Sequence, residues 1–548
     1  MSKQLIIAEK PSVAQDIARA LGGFTREGDY FESDDYVLSS AIGHLLELAV
    51  PEEYEVKRGK WTFTHLPVIP PRFTLNPIDK TADRLRLLTR LIKRKDVTGL
   101  VNACDAGREG ELIFRYVVQH ALTEKTAKPI RRLWLQSMTA SAIRDGFAHL
   151  RTDSEMLPLA DAARCRSEAD WLVGINGTRA MTAFNSQEGG FYKTTVGRVQ
   201  TPTLAILVER ESRIKAFVPR DYWEVEGEFQ AVAGTYRGRW FDEKFKKSDD
   251  EHARAERLWE QAKAEAIRKQ CLGKHGEVTE ESKPKTELSP LLFDLTSLQR
   301  EANGRFGFSA RNTLGLAQAL YEKHKALTYP RTDSRHLPED YLGTVKETLK
   351  SLGAAYAPYA PFTAEIAKNG WVHPNKRIFN NAKVSDHFAI IPTGAAPKHL
   401  TEPEQKIYDL VTRRFLAIFY PAAEYNITTR ITRVEKEAFK TEGKVLVTPG
   451  WLSVYGKEAQ TDEENPNLPP LEKQERVWAK DVEVKAKQTQ PPARFTEATL
   501  LTAMEGAGKL VDDEELREAM SERGLGTPAT RAATIEGLIA EEYVHRNG

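Results

Sequence analysis

Through about the first 150 residues the apolar positions switch between two arrangements. Short unbroken runs at Gln4–Ala8, Tyr36–Ala41 and Gly99–Cys104 read as strands buried on both faces. Helical spacings come between and after them. Val13, Ile17 and Leu21 mark Ser12–Leu21, which ends at Gly22-Gly23; leucines mark Arg84–Lys95; a third helix spans Glu109–Ala121. Strands alternating with helices predict an α/β domain over residues 1–153. A long helix follows over residues 155–182, then an apolar helix at Thr203–Val208 opened by Thr201-Pro202.

Beyond Tyr222 the period changes to that of strands, reaching about Gln270. Within that stretch Lys244–Lys263 is dense in both charge signs and reads as a solvated helix. Gly273–Pro290 reads as a polar linker. Leu295–Ala302 and Ala310–Lys323 are amphipathic and joined by a Gly-rich turn, with Ser309 placed to cap the second, a helix-turn-helix-like pair. From Leu400 to Val484 a helix gives way to strands at Ile427–Val434, Gly443–Val447 and Trp451–Tyr455. Asp462–Pro470 reads as an exposed acidic loop. Phe495–Gly506 is helical, and Thr527-Pro528 opens a last helix in the segment Arg523–Arg531.

Composition narrows the class. The chain has 548 residues, enough for several domains. Lys+Arg 79 against Asp+Glu 78 leaves a net charge of +1, so a nucleic-acid site has to be a local groove and not a basic coat. No apolar run approaches the ~18 residues of a membrane span, and the N-terminal run is too short for a signal peptide. The three cysteines, Cys104, Cys165 and Cys271, form no C-x-x-C pair. That excludes a zinc finger in this sequence and fits reduced thiols in a cytoplasmic protein.

The stretch that carries chemistry is Leu327-Thr328-Tyr329-Pro330-Arg331-Thr332-Asp333-Ser334-Arg335. Pro330 drives Tyr329 into extended backbone at the end of an element, and Thr332, Asp333 and Ser334 supply groups that fix a turn. Arg331, two residues on, would favour the phenolate and hold a phosphate. A loop tyrosine beside a solvated arginine has the same local sequence. Glu9 and Asp105 each follow a predicted strand, where sites form in parallel sheets. They read either as a Mg²⁺-binding carboxylate pair or as a helix cap and a surface acid. Ala503–Leu510 (AMEGAGKL) nearly spells a nucleotide loop but lacks the Ser/Thr and the first glycine, so no ATP site is expected.

The Tyr329 stretch resembles the active-site segment of type IA DNA topoisomerases, and Pro330 resembles the topoisomerase III branch. Ile7–Ser12, Ala41–Glu47, Asp105–Glu111, Ala169–Gly174, Gly197–Pro202 and Asp386–Ile390 resemble further family segments in the family's order, over a resemblance running from Lys3 to the last residue. It implies a multidomain α/β and α+β protein enclosing a central hole. A Toprim-like domain would cover 1–153, and a helical, winged-helix-like DNA-binding domain 154–215 with 490–548. A β-rich arch would cover 216–288 with 400–489, and a domain bearing the tyrosine 289–399. The chain stops at Arg546-Asn547-Gly548, in what reads as the turn of a β-wing, so the helical domain is expected to be truncated.

The resemblance also implies roles. Tyr329 would attack single-stranded DNA, with Arg331, Lys10, His387 and Glu9 at the phosphate. Glu9, Asp105 and Glu109 would serve Mg²⁺. Trp61, Arg166, Asp170, Trp171, Arg179, Arg331 and the run Thr195, Val196, Gly197, Arg198, Val199, Gln200 would contact DNA. Arg166–Asp170 and Arg164–Glu168 have the spacing of helix ion pairs. Family members often carry Asp-x-Asp where this chain has Asp105-Ala106-Gly107, which puts a two-ion site in doubt. A bacterial, cytoplasmic monomer is expected, working beside a helicase or a single-strand-binding protein. A Toprim nuclease or primase would not need Tyr329, and a passive DNA-binding protein would not need the acids.

Overall fold

The computed structural model describes residues 2–54, 61–135, 138–384, 387–459, 468–510 and 524–547. Asp386, Arg523 and most of the Asp462–Pro470 loop, all singled out above, lie outside the described residues.

The N-terminal unit is built on a seven-stranded sheet. Its order is Thr25–Glu27, Tyr30–Glu32, Tyr36–Ser40, Lys3–Ala8, Val97–Ala103, Ile130–Arg132 and Arg151–Thr152. The four central strands are parallel. Lys3–Ala8 is sealed on both faces, as its unbroken apolar run requires. Leu5 and Ile7 pack toward Ala82–Ile92 and Arg108–Ala121, while Ile6 and Ala8 pack toward Pro11–Leu21. Ala8 stands opposite Ala103, so Glu9 and Asp105 leave the carboxyl edge of neighbouring strands.

The β-rich unit closes into a six-stranded barrel, in the order Asp221–Ala231, Gly234–Phe241, Glu437–Thr448, Ala423–Val434, His275–Glu287 and Arg476–Gln488. Three expectations change here. The polar stretch read as a linker is the strand His275–Glu287, paired along its length with Ala423–Val434. Backbone hydrogen bonds hold it, and its side chains are mostly exposed, so hydrophobic patterning carried no signal. The charged segment read as a helix is largely irregular. The helix starts only at Gln261, where Ala264, Ile267 and Cys271 supply a buried stripe. Trp451–Tyr455 lies in a 3₁₀ turn, Gly450–Ala459, and not in a strand. Gly450 has φ +49° and room for no Cβ, since Ala422 O would lie 2.3 Å away.

The tyrosine-bearing unit packs Leu295–Phe306, Ala310–Glu322 and Leu342–Ala355 around one core. Glu402–Ala417, placed by sequence in the arch, joins this core through Ile407, Val411 and Phe415. The last helices, Glu497–Glu505 and Pro528–Ala540, return to Gln200–Ala216 and share its apolar contacts. AMEGAGKL is the end of Glu497–Glu505 and a 3₁₀ turn, as read from its missing loop residues.

One buried cation organises the sheet edge beneath the site. Arg132 is 1% exposed. Its guanidinium donates to the carbonyls of Asn102, Cys104 and Leu133 at 3.0, 2.7 and 3.1 Å, and to that of Asp105 at 2.6 Å. Buried Glu111 lies 3.5 Å from its Nε. Arg132→Leu should strip these acceptors of their partner and cost about 3–5 kcal/mol, read as a lower denaturant midpoint; an unchanged midpoint would remove Arg132 from this role.

Candidate active site

Tyr329 is placed by a zipper of threonines. The amide of Thr328 donates to Ile391 O at 3.0 Å and its hydroxyl to Ala389 O at 3.0 Å. The Thr332 hydroxyl donates to His387 O at 2.8 Å, and the Ser334 amide donates to the Thr332 hydroxyl. Residues 328–332 therefore run alongside 387–391, and the Tyr329 and His387 rings lie 4.3 Å apart. Tyr321, from Ala310–Glu322, meets the Tyr329 ring edge-on at 5.4 Å. Sequence reasoning passed over Tyr321, whose helical position one turn before the loop was the available signal.

The other wall comes from the sheet edge. Lys10 Nζ lies 3.0 Å from Asp105 Oδ2, 3.6 Å from Glu9 Oε1 and 4.6 Å from the centre of the Tyr329 ring. His387 Nε2 reaches the same Asp105 Oδ2 at 3.2 Å, and the Asp105 amide donates to Glu9 Oε2 at 3.3 Å. Glu9, Lys10, Asp105, Tyr329 and His387 thus converge, from segments far apart in the chain.

Their charges are mutually adjusted. Burial, then the neighbouring Asp105 charge, raises the Glu9 carboxyl above its usual range. Burial pushes Asp105 the same way, but the His387 hydrogen bond and charge together with Lys10 outweigh it and hold Asp105 well below the carboxylate range. Asp105 is the more acidic member of the pair. Burial works against the Lys10 charge, yet Asp105 and Glu9 more than offset it and keep the ammonium firmly protonated. Burial raises the Tyr329 phenol, and Lys10 and Arg331 reduce that rise without reversing it. Arg331 does favour the phenolate, as expected, but its side chain is exposed, and desolvation of the phenol outweighs it.

Glu109 does not join Glu9 and Asp105. The helix begins only at Arg108, and Glu109 turns outward to His44 Nε2 at 3.2 Å and Arg166 at 2.9 Å. No cluster of three or more acidic, histidine or cysteine groups suited to a metal forms among the described residues. The predicted helix pairs also dissolve. Arg166 reaches Glu109, Asp170 receives Arg198 at 2.9 Å, and Arg164 pairs with Asp161. For Arg166 and Asp170, contacts between elements outcompete a weak surface pair along one helix, whereas Arg164 exchanges one same-helix partner for another.

Trp171 is a packing residue. Its ring meets Tyr54 and Phe73 edge-on at 6.0 and 5.4 Å, and its indole N–H donates to Ala49 O at 2.9 Å. Arg179 is buried, donates to Glu52 at 2.7 Å, and covers the Trp61 ring at 5.2 Å. Thr195 accepts from the Gln200 amide at 3.2 Å, and Gly197 N–H donates to Thr201 Oγ1 at 3.0 Å. Val199 packs with the last helices. Beside this loop opens a cleft of about 1410 Å³ lined by Arg108, Arg166, Asp170, Arg198, Asp333 and Lys383, among others. Arg108 and Lys383 had not been singled out; only the fold shows that they face it.

Residues 4–138 match the Toprim domain, and residues 154–548 match a family described as DNA topoisomerase. DNA topoisomerase 3 of Bacillus subtilis (strain 168) is 41% identical over 559 residues, spanning 100% of this chain and 74% of that protein. Its counterpart in Bacillus licheniformis is 40% identical over 558 residues with the same coverage. Full-length topoisomerase I from Thermotoga maritima, a crystal structure, matches 99% of this chain and 79% of its own with TM-score 0.64 at 22% identity, a likeness of fold.

The two tryptophans should separate in stability. Trp171→Ala should cost about 3–5 kcal/mol, as truncation of a packed aromatic does. Trp61→Ala, with one aromatic neighbour at 5.5 Å, should cost roughly 1 kcal/mol. Thermal unfolding of both variants checks this, and equal losses would contradict it.

Proposed function

The chain belongs to the type IA DNA topoisomerases, most like topoisomerase III, and from that membership we propose that Tyr329 is the nucleophile opening one DNA strand. These enzymes cut a single strand through a 5′-phosphotyrosine, pass another strand or duplex, and reseal. They thereby relax negative supercoils and decatenate DNA without ATP. The observation that carries the assignment is the juxtaposition of the Tyr329 ring with Lys10 and His387, both lodged on Asp105.

In this reading the phenol is protonated at rest and passes its proton to solvent water as its oxygen bonds to phosphorus. The P–O3′ bond breaks in the same displacement. Lys10, kept protonated by Asp105 and Glu9, donates to the departing 3′ oxygen. His387 and Arg331 offer donors to the phosphate as negative charge develops there. Energy stays in the phosphotyrosine ester, so resealing is the reverse attack by the 3′ oxygen.

The carboxylates bear on a metal. Lys10 Nζ already occupies a gap between Glu9 and Asp105 that suits a cation, and the donors are all oxygen, as Mg²⁺ prefers. Glu9 and Asp105 would hold it, with water completing the shell. Gly107 offers no side chain, and Glu109 is engaged by His44 and Arg166, so one ion fits better than two. When bound, Mg²⁺ supplies charge neutralisation and alignment of the strand ends.

Single-stranded DNA is the substrate. We assign its path from Tyr329 and Arg331 into the cleft lined by Asp333, Arg166, Asp170 and Arg198, continuing over Thr195–Gln200 toward Arg179 and Trp61. Trp171 supports that path through its packing. The enzyme in this reading is a monomer of the bacterial cytoplasm, partnered by a helicase or a single-strand-binding protein, since one chain assembles the whole catalytic group.

Two measurements test the site. With end-labelled single-stranded DNA and a denaturing quench, the wild type should retain label on protein. Tyr329→Phe should retain none while unfolding normally; an adduct formed by that variant sinks the assignment. Asp105→Ala should still form the adduct yet relax supercoiled DNA poorly at every Mg²⁺ concentration. Wild-type relaxation with unchanged Mg²⁺ dependence would place the metal elsewhere.

A further inference from the structure

After the long helix Asp153–Asn185 the chain turns through Gly189 and Gly190, both at positive φ, and comes back along the helix. The return is held by a hydroxyl ladder. Ser186 Oγ accepts the Tyr192 amide at 2.9 Å, Thr182 Oγ1 the Thr194 amide at 2.9 Å, and Thr178 Oγ1 the Val196 amide at 3.0 Å. Four helical residues rise about 6 Å, and two extended residues span about 6.6 Å. The two repeats therefore match over three rungs. Gly177 permits the close approach, since a Cβ there would lie 2.7 Å from Val196. Ser186 and Thr182 are 2% and 1% exposed, so the anchors are spent on this one job.

The ladder fixes the backbone and leaves large rings in water. Phe191 is 61% exposed, Tyr192 63% and Phe184, at the helix end, 58%. Phe191 meets Trp61 edge-on at 5.5 Å, and the Arg179 guanidinium covers Trp61. Lys193 lies between the rings and the loop, 3.4 Å from Glu541. Rings held outward on an anchored backbone, beside cations and continuous with Thr195–Arg198, have the make-up of a stacking platform for unpaired bases.

We propose that Phe191 and Tyr192, with Trp61, form a distal subsite that stacks unpaired bases of the same DNA strand, upstream or downstream of the cut. Tyr192, level with Ser186 on the ladder, lies roughly 30 Å along the helix from Arg166, at about 1.5 Å per residue. The proposal rests on the topoisomerase reading. Its occupant is single-stranded DNA and not a protein, because the rail runs directly into the loop and cleft assigned to the strand. The subsite engages only strands long enough to reach it.

The test uses two oligonucleotides that share one cleavage sequence, one short and one extended on both sides past this distance. Wild type should bind the longer one more tightly. Phe191→Ala with Tyr192→Ala should erase about ten-fold of the long-strand affinity, the scale of a lost stacking contact, and leave short-strand affinity and adduct yield unchanged. Phe191→Trp should keep the long-strand gain, and Thr182→Val, which removes the middle rung, should diminish it. Undiminished long-strand affinity in the double variant overturns the proposal, as does an equal loss for both lengths. A wild type that forms no Tyr329 adduct would instead overturn the topoisomerase reading, which the length comparison does not depend on.

Discussion

The site hangs on the charge of Asp105. A carboxylate taken out of water is costly unless cations and donors meet it. Here Lys10 and His387 both meet it at Oδ2, from opposite walls. The same contacts hold Lys10 protonated and draw both groups against the Tyr329 ring. Glu9 then sits beside an ionised neighbour in a buried setting, which raises its own proton affinity. One charge bears on the state of Lys10, of Glu9 and of the surroundings of Tyr329. What fixes that charge in space is ordinary sheet geometry: the Ala8–Ala103 register, with Arg132 drawing in the carbonyls on which Asp105 rides.

How much of this the sequence disclosed follows from physical range. The strand Lys3–Ala8 and the helices Pro11–Leu21 and Ala310–Glu322 were legible because burial imposes periods on apolar residues. Glu9 and Asp105 were legible because strand ends in parallel sheets are where sites form. The strand His275–Glu287 was not, since its order comes from backbone pairing with a partner far along the chain. Glu109 and Trp171 illustrate a second limit. Residue type and motif position implied a ligand at Glu109 and gave no sign of what packs around Trp171; the side chains' directions depend on where one helix begins and on which loop covers another. Arg132 escaped because a buried arginine and a surface one look alike in sequence.

The ion pairs make the same point in energetic form. Arg166 and Asp170 sit one turn apart on a helix, a pairing worth only a few tenths of a kcal/mol, about 0.3–0.5. Each instead bonds a group on another element: Arg166 reaches Glu109 and thus the N-terminal unit, while Asp170 holds Arg198 of the loop. A weak local preference yields to contacts that join units, and those contacts line the cleft. The acid that the family motif offers to a metal is here spent on tying the sheet unit to the long helix.

That economy bears on strand passage, which requires the two walls around Tyr329 to separate once the strand is cut. Across the gap the contacts are polar or ring-edge in kind: Asp105 with His387, Lys10 with the Tyr329 ring, and the Thr139 hydroxyl with Asp340 at 2.8 Å. Among the described residues, the hydrophobic clusters of the sheet unit and of the tyrosine unit share no member. Parting the walls exchanges such contacts for water, whereas splitting a shared core would expose apolar area at about 25 cal/mol per Å². The Asp105 charge that assembles the surroundings of Tyr329 is thus also one that spans the two walls, through His387.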